Sequence, residues 1–220
     1  MTESRTRLRP VASSVLFAAL AVTLVPLAYL FSVSLMGRDE TVSGVLWSAA
    51  PHWENWGDVL STDIPRSILN SLAAALGGAA VSLVIAVPGA WAIVRHNAGG
   101  RTLAATLMSP WLLPPIVAVV PLLTLLRSVG LNNTLLGLTL VYALVNVPVA
   151  VWLLEGFIRR LPVEIEEAAR IDGAGTLRML WSVVVPLLLP SLVAIGIIVA
   201  ILNYNDCLLY TSDAADDSLR

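Results

Sequence analysis

Long apolar runs without charge alternate along this chain with short polar connections. A bilayer core about 30 Å thick takes about 20 apolar residues in helix. Five uncharged stretches reach that length, 11–37, 67–94, 102–126, 134–154 and 181–202. Each predicts a membrane-crossing helix, so the fold class expected is all-α, a polytopic transmembrane helical bundle. Nine of the 13 prolines fall inside these runs: Pro26, Pro88, Pro110, Pro114, Pro115, Pro121, Pro148, Pro186 and Pro190. Proline removes a backbone donor and crowds the preceding turn, which neighbouring helices or cavity water can relieve in a bundle. Kinked helices are therefore expected. Ala74, Gly78 and Ser82, four residues apart, form a stripe of small side chains on the second helix that would let a neighbour approach closely.

Composition agrees with the pattern. The 220 residues are 57% hydrophobic and 13% charged, against about 25% charged in soluble domains, and the mean hydropathy is +0.83. The net charge of -2 says less than where the charges lie. All 13 basic residues are arginines. Arg5, Arg7 and Arg9 precede the first run, which is too long for a signal-peptide core and reads as a retained anchor. With the N-terminus in the cytoplasm, alternation puts nine arginines inside (those three with Arg95, Arg101, Arg159, Arg160, Arg170 and Arg178) and three outside (Arg38, Arg66 and Arg127). That asymmetry is what the positive-inside rule requires. The outer segment 38–66 carries Trp47, Trp53 and Trp56, which suit either an amphipathic cap at the membrane interface or a plain loop.

The apolar runs also exclude chemistry. Ion-coupled carriers and membrane enzymes keep acids, histidines or lysines at membrane depth, and these runs hold none. A proton relay is not expected, although a sodium site of backbone carbonyls would escape this argument. No HExxH, GxSxG or GxxxxGK[ST] pattern occurs. His52 and His96 stand alone in connections on opposite sides, and the single cysteine, Cys207, has no partner at metal-ligand spacing. No catalytic, metal or cofactor site is expected. Uphill transport would then need energy from another subunit.

The connection 155–180 is the most polar inner segment. Pro162 suits a first helical position, Glu164, Glu166 and Glu167 favour a helix N-terminus, and Gly173 can supply a left-handed C-terminal cap. A short helix over 162–172 follows. At 1.5 Å per residue it spans roughly 16 Å, too little to cross the bilayer. Ile165, Ala168, Ala169 and Asp172 share one face, and Glu166 can pair with Arg170 on another. The two alanines leave a slim surface. Taken alone, these residues fit a solvated connector as well as a helix that docks in a partner's groove.

Glu167-Ala168-Ala169, then Asp172-Gly173 and, after nine residues, Val183-x-Val185-Pro186, resembles the EAA loop of importer permeases in the ATP-binding-cassette superfamily. That resemblance implies a cytoplasmic coupling helix set in a cleft of a separate ATPase subunit. On it, Glu167 and Asp172 make polar contacts, Ala168 and Ala169 permit close approach, and Gly173 turns the chain away. Asn70-Ser71-Leu72, Gly130-Leu131-Asn132-Asn133-Thr134, Pro162-x-Glu164 and Asn205-Asp206 are similar to the maltose-permease-type branch, with Tyr204 where that branch commonly has Trp. The implied function is a non-catalytic permease subunit that carries sugars across the bacterial cytoplasmic membrane by alternating access. The implied partners are a dimer of ATPase subunits, a second permease, an extracytoplasmic solute-binding protein and membrane lipid; no nucleic acid is implied. An amino-acid, peptide or polyol importer is the alternative within the family. A self-sufficient carrier or channel, or a membrane enzyme, lies outside it.

Residues 207–217 resemble the translation of a sequencing-library adapter. The expected organisation is a permease domain over 1–206 and a non-native tail over 207–220. Five spans are then present, and the sixth expected of the family is missing.

Overall fold

A computed structural model describes residues 4–48, 50–99, 102, 106, 109 and 115–205. The described residues form helices and turns and include no strand. The helices are α1 (Ser4–Ser34), α2 (Arg38–Val42), α3 (Glu54–Ser61), α4 (Ile64–His96), α5 (Pro115–Ser128), α6 (Leu135–Ile158), α7 (Val163–Ile171) and α8 (Thr176–Asn205). Four are long and apolar enough to cross a bilayer: α1 over Ser13–Ser34, α4, α6 and α8. They coincide with the first, second, fourth and fifth runs. Of the third run, residues 102, 106, 109 and 115–126 are described, the last stretch within α5, and Pro110 and Pro114 lie outside the described residues, as does the tail with Cys207. The chain divides into two compact units, Met1–Ser67 and Ile68–Arg220.

In the first unit the end of α1 is tied to the segment after it. The Asn55 amide donates to the carbonyls of Ser34 (3.2 Å) and Met36 (3.1 Å), and the His52 N–H donates to the Leu35 carbonyl at 2.9 Å. These bonds occupy carbonyls that a helix end otherwise leaves unpaired. The Ser32 hydroxyl, buried, donates to the Leu46 carbonyl at 2.9 Å. Phe31 and Trp56 pack with ring centroids 6.4 Å apart. Trp47, Trp53 and Trp56 are all exposed, with Trp53 as the N-cap of the short helix α3 and Trp56 within it.

The second unit is organised around α4, α6 and α8. The small-residue stripe is buried, with Ala74 and Ser82 both fully inaccessible. At Gly78 a methyl group would lie 2.8 Å from Tyr142 Cβ and 3.0 Å from Asn203 Nδ2, so glycine alone permits this approach of α4 to α6 and α8. Farther along, Ala86, Ala90, Leu154, Ile158, Met179 and Val184 belong to one apolar core shared by the three helices.

Amides hold the bundle together at the other end. Asn203 accepts from Asn146 Nδ2 at 2.7 Å and donates to the Ala75 carbonyl at 2.8 Å, joining all three helices. Ser82 donates to the Ala143 carbonyl at 3.0 Å. Lipid offers no hydrogen bonds, so such groups must find partners inside the protein. Among the described residues no buried side-chain polar atom lacks one.

The helices run on through Pro26, Pro88, Pro121, Pro148 and Pro190. The expected distortion is visible at Pro186. There α8 widens into a π turn over Leu180–Val184, with the Val185 N–H bonding back to the Leu180 carbonyl. Widening relieves the crowding between a proline ring and the turn before it.

Candidate functional site

The connection between α6 and α8 folds as the sequence suggests, with two changes of detail. Helix α7 covers Val163–Ile171, and Pro162 is its N-cap, in extended geometry (ψ 129°), rather than its first helical residue. Gly173 has φ +81°, the left-handed cap. Its N–H donates to the Arg170 carbonyl at 3.0 Å and the Ala174 N–H to the Ala169 carbonyl at 2.9 Å, the two bonds of a Schellman motif. Gly175 then caps α8. Only Gly173 and Ala174 thus separate the C-cap of α7, Asp172, from Gly175, the N-cap of the next membrane helix.

The second change concerns Glu166. In the structure it does not reach for Arg170. Glu166 is 3% exposed and turns into the unit, where Oε1 accepts from Arg95 Nε at 2.7 Å and Oε2 from Trp91 Nε1 at 3.1 Å. Arg95 Nη2 also donates to the Leu161 carbonyl at 2.9 Å, one residue before the α7 cap. His96, the exposed last residue of α4, meets Trp91 with ring centroids 4.8 Å apart and planes tilted by 51°, rather than standing alone in a loop. The charge is buried because its hydrogen-bonding needs are met by a cation, an indole and good geometry. Removing one partner of such a pair costs about 3–5 kcal/mol.

The orientation of α7 sorts the five residues of the motif. Ala169 packs against the apolar core and faces the unit. Glu167, Ala168, Asp172 and Gly173 are exposed, together with Glu164 and Ile171, the latter 86% accessible. The slim outward surface is therefore centred on Ala168, flanked by Glu164, Glu167 and Asp172, with Ile171 projecting. Ile165, Ala168 and Asp172 stay exposed, but Ala169 does not share their surroundings. Among the described residues no cluster of His, Cys, Asp and Glu could hold a metal ion.

At the opposite end of the unit, Asn70 and the 130–134 turn come together. They line a cavity of about 300 Å³ with Leu123 and Leu126 of α5. Thr134 caps α6 by accepting from the Gly137 N–H at 3.0 Å, and a methyl group on Gly137 would lie 2.3 Å from the Leu131 carbonyl. Asn133 takes the left-handed conformation at φ +54°.

Residues 82–211 match the family described as binding-protein-dependent transport system inner membrane component. The chain belongs to this family. The permease is 33% identical over 193 residues to the trehalose transport system permease protein SugB of Mycobacterium tuberculosis (strain CDC 1551 / Oshkosh), a match covering 86% of this chain and 70% of that protein. It is 30% identical over 192 residues to the diacetylchitobiose uptake system permease protein NgcG of Streptomyces coelicolor (strain ATCC BAA-471 / A3(2) / M145), covering 86% of this chain and 63% of that one. A chain in the crystal structure of a bacterial ABC transporter that imports the acidic polysaccharide alginate has the same fold, with a TM-score of 0.72 at 24% identity over 94% of this chain and 74% of that one. The permease is thus an all-α, multi-pass membrane subunit of an ABC-type importer. Its exposed apolar side chains, including Leu69, Val84, Leu144, Trp152 and Val193, are suited to lipid.

Two features of the unit were not read from the sequence. Arg95 and Trp91 share a helix face at four-residue spacing at the end of a span. That spacing was the available signal for an inward acid nearby. Asn146 lies within the fourth apolar run and Asn203 just beyond the fifth, a signal for interhelical bonding that a search for charges passes over.

Proposed function

We propose that this permease carries a sugar or a related small carbohydrate across the cytoplasmic membrane, with α7 as the coupling helix that docks in a cleft of a separate ATPase subunit. The observation that carries the reading is the exposed, slim face of α7, placed two residues from the cap of a membrane helix. Glu167 and Asp172 contact the ATPase, Ala168 lets it approach closely, and Gly173 turns the chain back into α8. Ala169 serves from the inner side by seating α7 on the bundle. Hydrolysis belongs to the ATPase dimer, and the permease contributes the pathway.

The N-terminus is cytoplasmic on this reading, because that puts α7 and most arginines on the ATPase side. The 130–134 turn then faces outward, where an extracytoplasmic binding protein delivers solute and a second permease completes the pathway. The carbohydrate reading is supported by the trehalose and diacetylchitobiose systems to which relatives belong. The domain assignment 1–206, with 207–220 as a foreign tail, remains part of this proposal.

The test is co-purification of the permease with an ATPase subunit from the same organism, with and without Glu167→Arg and Gly173→Leu, together with uptake of labelled trehalose and chitobiose in proteoliposomes. The expected result is loss of the ATPase and of ATP-driven uptake in both variants, with membrane insertion intact. Undiminished association and uptake without ATP would overturn it in favour of a self-sufficient carrier.

A further inference from the structure

The geometry points to a role for Glu166 that neither the exposed motif nor the family assignment contains: it is a positioning residue that fastens α7 to α4, so that the two move as one body. This inference rests on the reading of α7 as the coupling helix. Covalently, α7 is joined to α6 through 159–162 and to α8 through 172–175, but to α4 only through side chains. Arg95 and Glu166 supply that link, with Trp91 as a second point of attachment on the same carboxylate. Two separate α4 side chains grip Glu166, which restrains rotation of α7 about its axis as well as translation. Arg95 extends the grip to the Leu161 carbonyl, fixing the entry to α7 too.

The link is built to persist. The Arg95 side chain is 11% exposed and that of Glu166 4% exposed, so water competes weakly for either partner. Ala169, one turn on from Glu166, is half-buried against the apolar core. Force applied to the outer face of α7 at Glu167 and Ala168 therefore reaches α4 directly through Glu166. It need not pass first through the π turn at Leu180–Val184. Without the link α7 remains attached to α8 but can swing on the Gly173 and Gly175 joints. ATP would then be hydrolysed with little solute moved.

The test uses the assembled importer in lipid, in a Cys207→Ser background, with spin labels on Asn97→Cys beyond α4 and on Arg170→Cys, an exposed position of α7. The distance between the labels is expected to be the same without nucleotide and with a non-hydrolysable ATP analogue. In Glu166→Gln, which removes the charge and faces an amide toward donors on both sides, the distribution broadens and becomes nucleotide-sensitive. Solute moved per ATP hydrolysed falls at least tenfold while the ATPase stays bound. Arg95→Gln, which removes the same link from the α4 side, broadens the distance distribution likewise, and combining it with Glu166→Gln lowers the ratio no further, a non-additivity that two independent packing defects would not give.

The inference is overturned if the native distance changes with nucleotide, if Glu166→Gln keeps its transport per ATP within twofold, or if Arg95→Gln leaves the distance distribution as narrow as the native one. The coupling-helix reading fails on a different result, namely Glu167→Arg retaining ATPase and uptake, and the label distance does not depend on it.

Discussion

Replacing Asn203 by leucine keeps the branching and heavy-atom count of the side chain in a bulkier group and removes the amide that joins α4, α6 and α8. Asn203 is fully buried, and the change deletes the 2.8 Å bond to the Ala75 carbonyl and the 2.7 Å bond from Asn146. Asn146 keeps only its 3.3 Å contact to the Tyr142 carbonyl in its own helix. Interhelical hydrogen bonds in bilayers contribute about 0.6 kcal/mol on average and up to about 1.7. Two of them give about 1–3 kcal/mol, roughly a 5- to 150-fold change in the folded fraction. Leucine would also press on Gly78, whose added-methyl position already lies 3.0 Å from Asn203 Nδ2, so the upper half of that range is expected. The assay is reversible unfolding by SDS titration in bicelles, followed by tryptophan fluorescence. Asn205→Leu is the control, because Asn205 is exposed and bonds only within α8, to the Ile201 carbonyl at 2.9 Å. A change of less than about 0.5 kcal/mol is expected there. Equal stability of Asn203→Leu and the control would refute the reasoning.

The remaining predictions follow from single contacts. Gly78→Ala puts a methyl group 2.8 Å from Tyr142 Cβ and should cost about 1–3 kcal/mol by overpacking in the same titration. Gly173→Ala meets no atom within 4 Å, so its whole cost is the left-handed backbone at φ +81°, about 1–2 kcal/mol, and Gly173→Asn should cost less in thermal unfolding. The Glu54 carboxylate, 2.9 Å from His52 Nδ1, raises the His52 pKa above 6.5. A raised folded pKa means that this pair stabilises fully below the unfolded value and that the contribution is lost as pH rises through the folded one. NMR titration of the His52 ring should show a lower pKa in Glu54→Gln.

Much of this fold could be read from the chain because membrane spans and helix caps are written locally. The four spans follow from uninterrupted apolar runs, and α7 was predicted to within a residue at each end because Pro162 and Gly173 each act on their own backbone. The Ala74, Gly78 and Ser82 stripe was legible for the same reason, as a four-residue repeat on one helix. Glu166 was not. The run Glu164-Ile165-Glu166-Glu167 offers three acids within four residues, and which one turns inward depends on how α7 is rolled against α4. That roll is set by Arg95 and Trp91, more than 70 residues earlier in the chain. Ala169 was misassigned to the outer face for the same reason. Asn146 and Asn203 are likewise legible as polar residues, but their pairing is a property of three helices together.

The central claim is that the outer face of α7 receives the ATPase, and cross-linking tests it most directly. With Cys207→Ser as background, Ala168→Cys would be reacted with a short bifunctional thiol reagent in an importer whose ATPase carries cysteines along the proposed cleft. A cross-link from Ala168→Cys that changes in yield with ATP, and none from Ala169→Cys on the inner side, is the predicted result. An active importer in which Ala168→Cys never cross-links to the ATPase would contradict the account.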